Sequence, residues 1–138
     1  MLQILNMKKM KNDKIERYHF EEIVLILLIL ASDLSKYVED DLESFSESIE
    51  GRIEVLFTKD FLSSFNEYYG INDKIAFELE ELKNHVIKLY ASQWIKKLIS
   101  SNKEIAFIRL NASKILNELK IRNKDPKKFS EEHLNINW

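Results

Sequence analysis

His19, His85 and His133 are the only imidazoles in the 138-residue chain, and no cysteine accompanies them. Glu16-x-x-His19 has the carboxylate-to-imidazole spacing that sets two ligands one turn apart on one helix face, as in di-iron bundles. Such a centre needs a second pair of that kind and a glutamate from each of two further helices. The other histidines offer only Glu81-x-x-x-His85 and the adjacent Glu132-His133, so a metal-dependent helical enzyme built on Glu16, His19, Glu81 and His85 stands as an alternative, not the leading reading. Catalytic zinc wants three clustered protein ligands, and no two histidines share a helix at ligand spacing. Ser44, Ser46, Ser48, Ser63 and Ser64 lie outside any Gly-x-Ser-x-Gly elbow. With glycine only at Gly51 and Gly70, neither a Walker-type phosphate loop nor a dinucleotide fingerprint can be written. The absence of cysteine removes disulfide, thiolate and zinc-thiolate chemistry together, and a cytoplasmic location is the expectation that follows. No catalytic residue, metal or cofactor is assigned.

The chemistry left is electrostatic. Formal net charge is only -2, so any argument rests on distribution. Between residues 33 and 54, Asp33, Glu39, Asp40, Asp41, Glu43, Glu47, Glu50 and Glu54 stand against only Lys36 and Arg52. At 100° per residue, Leu34, Val38, Leu42, Phe45 and Ile49 fall on one stripe of a helix, and Glu39, Asp40, Glu43, Glu47 and Glu50 fall on the outward side. Like charges at that spacing destabilise an isolated helix by a few tenths of a kcal/mol per pair. Two readings stay open: a docking face for a basic partner, and a merely solvated face. Basic residues collect near the ends, at Lys8, Lys9, Lys11 and Lys14 and at Lys120, Arg122, Lys124, Lys127 and Lys128. Nucleic-acid binding by these termini is the third function class, without a recognition-helix motif to support it. Phe61, Phe65, Tyr68, Tyr69, Tyr90 and Trp94 read as core, while Tyr68, Tyr69 and Trp94 are also residue types that anchor interfaces from a rim.

These side chains need helices to hold them. Length and a 45% apolar content predict one helical domain over residues 1–138, with 1–11 and 123–138 peripheral. The expected fold is an all-α compact bundle of five to seven helices around a central buried helix near residues 22–32. The unbroken apolar run 23–31 is far short of the roughly 20 residues that span a bilayer, and Glu21 and Glu22 beside it oppose a secretory leader. Asn12 or Asp13 is expected to cap that helix, Asp33 to open the next and Gly51 to end it. Residues 53–57 are the one candidate strand. Thr58 caps a short helix that Gly70 stops. Asn72 or Asp73 opens the longest predicted helix, carrying apolar residues from Ile75 to Leu98, and the next one buries Ile105, Ile108, Ala112, Ile115, Leu116 and Leu119. Asp125-Pro126 reads as the start of a terminal helix with Phe129 and Leu134.

A small, cysteine-free helical chain with Glu39, Asp40, Glu43, Glu47 and Glu50 on one face, and Tyr68, Tyr69 and Trp94 nearby in sequence, resembles the bacterial immunity proteins that neutralise secreted toxins, including those of contact-dependent growth inhibition. The resemblance implies a non-enzymatic, cytoplasmic toxin inhibitor acting by protein–protein interaction. Its partner would be a basic toxin domain such as a nuclease; beside that reading, no membrane contact is expected and nucleic acid is not the expected partner. No position carries over as a known contact.

Overall fold

The apolar run lies at the centre of the molecule. In the computed structural model, which describes residues 2–65, 69–91, 93–100 and 102–134 and their side chains from residue 13 onward, helix α1 spans Leu2–Ala31. Every side chain from Ile23 to Leu30 is at most 4% exposed. A helix apolar all round must be covered on all sides. Four elements cover it: α2 (Glu39–Ile49), α3 (Arg52–Leu56), α6 (Lys103–Glu118) and α7 (Pro126–His133). Helix α5 (Asp73–Ile87) packs on α6, and α4 (Lys59–Leu62) packs on α5. With 3₁₀ turns at Leu34–Lys36, Ser63–Phe65 and Trp94–Ile99, this is an all-α bundle of seven α-helices and no strand among the described residues. None of those helices is long and apolar enough to cross a membrane.

Local caps behave as their chemistry dictates. Thr58 Oγ1, Asn72 Oδ1 and Asn102 Oδ1 accept from Phe61 N, Ile75 N and Ile105 N, at 3.4, 2.9 and 2.9 Å, each satisfying an N–H that a first turn leaves free. Asp125 caps α7 with Pro126 at its first position, and Tyr37 Oη donates to the same carboxylate. Gly51, at φ 71°, ends α2 in the left-handed region that glycine enters without steric cost.

Four expectations give way. Asn12 and Asp13 do not cap α1, which starts at Leu2; no glycine or proline interrupts the stretch, and Asp13 sits exposed within the helix. Asp33 opens only a 3₁₀ turn, its carboxylate accepting from Ser35 N and Oγ at 3.0 and 2.7 Å, a local bonding pattern that competes with helix. Tyr37 and Val38 are then extended, α2 begins at Glu39, and Val38 leaves the buried stripe at 64% exposure. The candidate strand 53–57 is helix α3: Ile53, Leu56 and Phe57 are buried at helical spacing while Glu54 and Val55 face out. The long helix stops at Ile87 instead of reaching Leu98. Its chain folds back through Gln93, at φ 58°, so that Trp94, Ile95 and Leu98 enter the core. Lys97 Nζ and Arg109 Nη2 satisfy the carbonyls of Leu89 and Leu98 that this reversal leaves open, both at 3.1 Å.

Candidate partner-binding surface

The first turn of α2 carries Glu39, Asp40 and Asp41, where the free N–H groups of a helix start favour negative charge. Two of the three are neutralised by remote lysines. Lys96 Nζ lies 2.9 Å from Glu39 Oε1 and holds that carboxyl below its usual range; Lys127 Nζ lies 3.2 Å from Asp41 Oδ1. Asp40, Glu43, Glu47 and Glu50 are exposed and form no ion pair with any described residue, and neither does Glu54 on α3. Two of them act on a neighbouring ring: the Tyr90 phenol is pushed up to about 12 by burial first, then by Glu54 and Glu50.

The carboxylates of α2 border two different recesses. Glu39, Glu43 and Glu50 line a recess of about 280 Å³ between α2 and the Trp94–Ile99 turn, where Trp94 and Lys96 form the facing wall. Glu47 instead borders a separate recess of about 450 Å³ with Tyr18, Glu22 and Arg52. In the wall of that second recess, Arg52 clamps Glu22 with two 2.9 Å hydrogen bonds, and His19 Nδ1 lies 2.8 Å from Glu22 Oε1.

No family model, curated protein or solved structure matches this chain. The site therefore rests on its own geometry, and the aromatic part of the expected rim changes. Trp94 is only 1% exposed: it floors the recess instead of standing free, 5.1 Å from the Tyr90 ring, and its Nε1 has no hydrogen-bond partner among the described residues. Tyr69 stacks on Phe20 at 4.4 Å in a different groove, away from the acidic recess. Tyr68 lies outside the described residues.

The metal-site candidates are not brought together. His19 is engaged with Glu22, His85 packs on the Phe107 ring at 4.7 Å, and among the described residues no three His, Asp or Glu side chains converge at ligand distances. The terminal basic groups separate as well, since Lys127 is bound to Asp41 and Lys124 borders the Tyr69 groove. Sequence reading missed the Lys96–Glu39, Lys127–Asp41 and Glu22–Arg52 pairings. Each pairs residues far apart in the chain, and no local spacing announces such a pair.

Proposed function

We propose that this is a non-enzymatic binding protein that presents the α2 face to a basic protein partner, and that the partner is a toxin domain which the protein neutralises by occlusion. The observation that carries the reading is the set of exposed carboxylates Asp40, Glu43, Glu47 and Glu50, left without ion pairs among the described residues on a helix whose neighbouring acids Glu39 and Asp41 are neutralised. Unpaired charge of one sign on a rigid element steers a complementary partner and speeds encounter. Lys96 in its bridge to Glu39 marks how a partner ammonium would sit in the adjacent recess, over the floor that Trp94 provides. A nuclease, whose substrate groove must be basic, is the kind of toxin such a face would block. The role implies residence in the cytoplasm.

The test is association of the purified protein with the toxin domain encoded beside its gene, followed by stopped-flow fluorescence at low and physiological salt. Glu43→Lys with Glu47→Lys should slow association about tenfold or more at low salt, with dissociation and melting temperature little changed. Unchanged association at low salt removes the α2 face from the interaction. A neighbouring gene that encodes no secreted protein with a variable C-terminal toxin domain removes the toxin reading.

A further inference from the structure

On another side of α7, α1 and the segment leading into α7 form a groove of about 680 Å³, within the range of small-molecule sites. Its floor is apolar, made by Phe20, Val24, Ile121 and Phe129, with the Tyr69 ring stacked on Phe20. The charges on its rim are unequally engaged. Glu21 Oε1 holds both Arg17 Nε at 3.2 Å and His133 Nδ1 at 3.5 Å, so two of the rim's basic groups are already paired. Among the described side chains, which begin at residue 13, Asp13 and Glu16, one turn apart on α1, have no ion-pair partner. Around the Tyr69 hydroxyl the acids prevail: after burial, Glu16, Asp13 and Glu21 all push its phenol up, and only Arg17 opposes them. Lys124 completes the rim and does not contribute at Tyr69, so the groove is acidic at its Tyr69 end.

We infer that this groove binds a small amphiphilic amine, its apolar body lying on Phe20, Val24, Ile121 and Phe129 and its ammonium between Glu16, Asp13 and the Tyr69 ring. An aromatic ring that shares a groove with two carboxylates favours a cation on electrostatic grounds, with a cation–π contribution from the ring face not stacked on Phe20. A neutral apolar ligand would leave Asp13 and Glu16 unused, and an anionic one would meet them as like charges. The inference is independent of the α2 face, since neither recess beside α2 shares a lining residue with this groove.

Tryptamine and its anionic isostere indole-3-propionate are suitable probes, titrated into the ¹⁵N-labelled full chain and followed by amide shifts. Tryptamine should bind at roughly 10⁻⁴–10⁻³ M, the range expected for a ligand of that size. It should shift amides around Phe20, Tyr69 and Phe129 and bind at least about tenfold more tightly than the propionate. Asp13→Asn with Glu16→Gln, two changes at positions outside the buried core, should erase the preference for the amine while leaving the melting temperature unchanged. Equal affinity for the two probes, no saturable shifts, or shifts confined to the α2 recess would each overturn the inference. A lysine-flanked apolar peptide that saturates the same amides more tightly than tryptamine would also overturn it, by making the occupant a protein segment.

Discussion

Glu22 is the point at which α1 and α3 are tied electrostatically, and breaking that tie has a calculable cost. Glu22 Oε2 accepts from Arg52 Nε and Oε1 from Arg52 Nη2, both at 2.9 Å, in the parallel two-bond geometry that suits a guanidinium and a carboxylate. The Glu22 side chain is 13% exposed and that of Arg52 40% exposed. A fully exposed pair contributes about 0.2–1 kcal/mol, whereas removing one partner of a buried pair costs about 3–5 kcal/mol. The unequal exposure puts the coupling energy between these limits, at about 2 kcal/mol. It also predicts an asymmetry. Arg52→Met keeps the aliphatic stem but removes the guanidinium from the more buried carboxylate, which is left beside His19 and Tyr18, so it should destabilise more than Glu22→Gln, which strands a guanidinium that water reaches.

Unfolding entropy of about 2.1 cal/mol/K per residue gives a chain of this length roughly 3 °C of melting temperature per kcal/mol. A coupling of about 2 kcal/mol then corresponds to about 7 °C of non-additivity. The assay is a double-mutant cycle of wild type, Glu22→Gln, Arg52→Met and the double variant, unfolded by urea and by heat and followed by circular dichroism. A coupling below about 0.5 kcal/mol, or Glu22→Gln costing more than Arg52→Met, would refute the reasoning, because the clamp would then behave as a solvated pair.

Glu78 and Glu118 face each other between α5 and α6. Each has a buried Oε2 with no hydrogen-bond partner among the described residues, and Lys74 and Lys114 reach their Oε1 atoms at 3.5–4.0 Å. Burial first, then the charge and hydrogen bonding of Glu118, hold Glu78 above the usual carboxylate range despite both lysines. A group raised on folding contributes stability that is fully present below its unfolded value and lost as pH rises through its folded one. Wild type should therefore lose stability relative to Glu78→Gln as pH rises above the ordinary glutamate range, and urea titrations at several pH values that show a constant difference would contradict this. Leu28, at 0% exposure in the middle of α1, should cost about 2–5 kcal/mol on truncation to alanine, read as a lower urea midpoint at unchanged slope; a loss under 1 kcal/mol would mean that α1 is not enclosed.

What was legible in the sequence was whatever depends on a few neighbouring residues. Thr58, Asn72 and Asp125 announce helix starts because the capped N–H lies two or three residues away, and the run 23–31 announces a covered helix because no face of it is polar. The apolar residues between Ile75 and Leu98 misled because two adjacent stripes on one helix and two separate elements meeting one core leave the same pattern; only packing distinguishes them. That reversal also governs the candidate site. It buries Trp94 beneath the recess and delivers Lys96 to Glu39, while α7 delivers Lys127 to Asp41. Helical periodicity reports which carboxylates face outward, but whether they remain charged and unpaired depends on lysines that arrive from distant elements. Asp40, Glu43, Glu47 and Glu50 are the acids that both criteria leave in place. They differ in what lies beside them: Glu43 and Glu50 border the recess floored by Trp94, and Glu47 faces the Glu22–Arg52 clamp. A partner that grips the whole helix must meet both recesses, whereas one that inserts a single basic side chain needs only the first. Reversing Glu43 and Glu47 separately divides these cases, since the second kind of partner is slowed by Glu43→Lys far more than by Glu47→Lys.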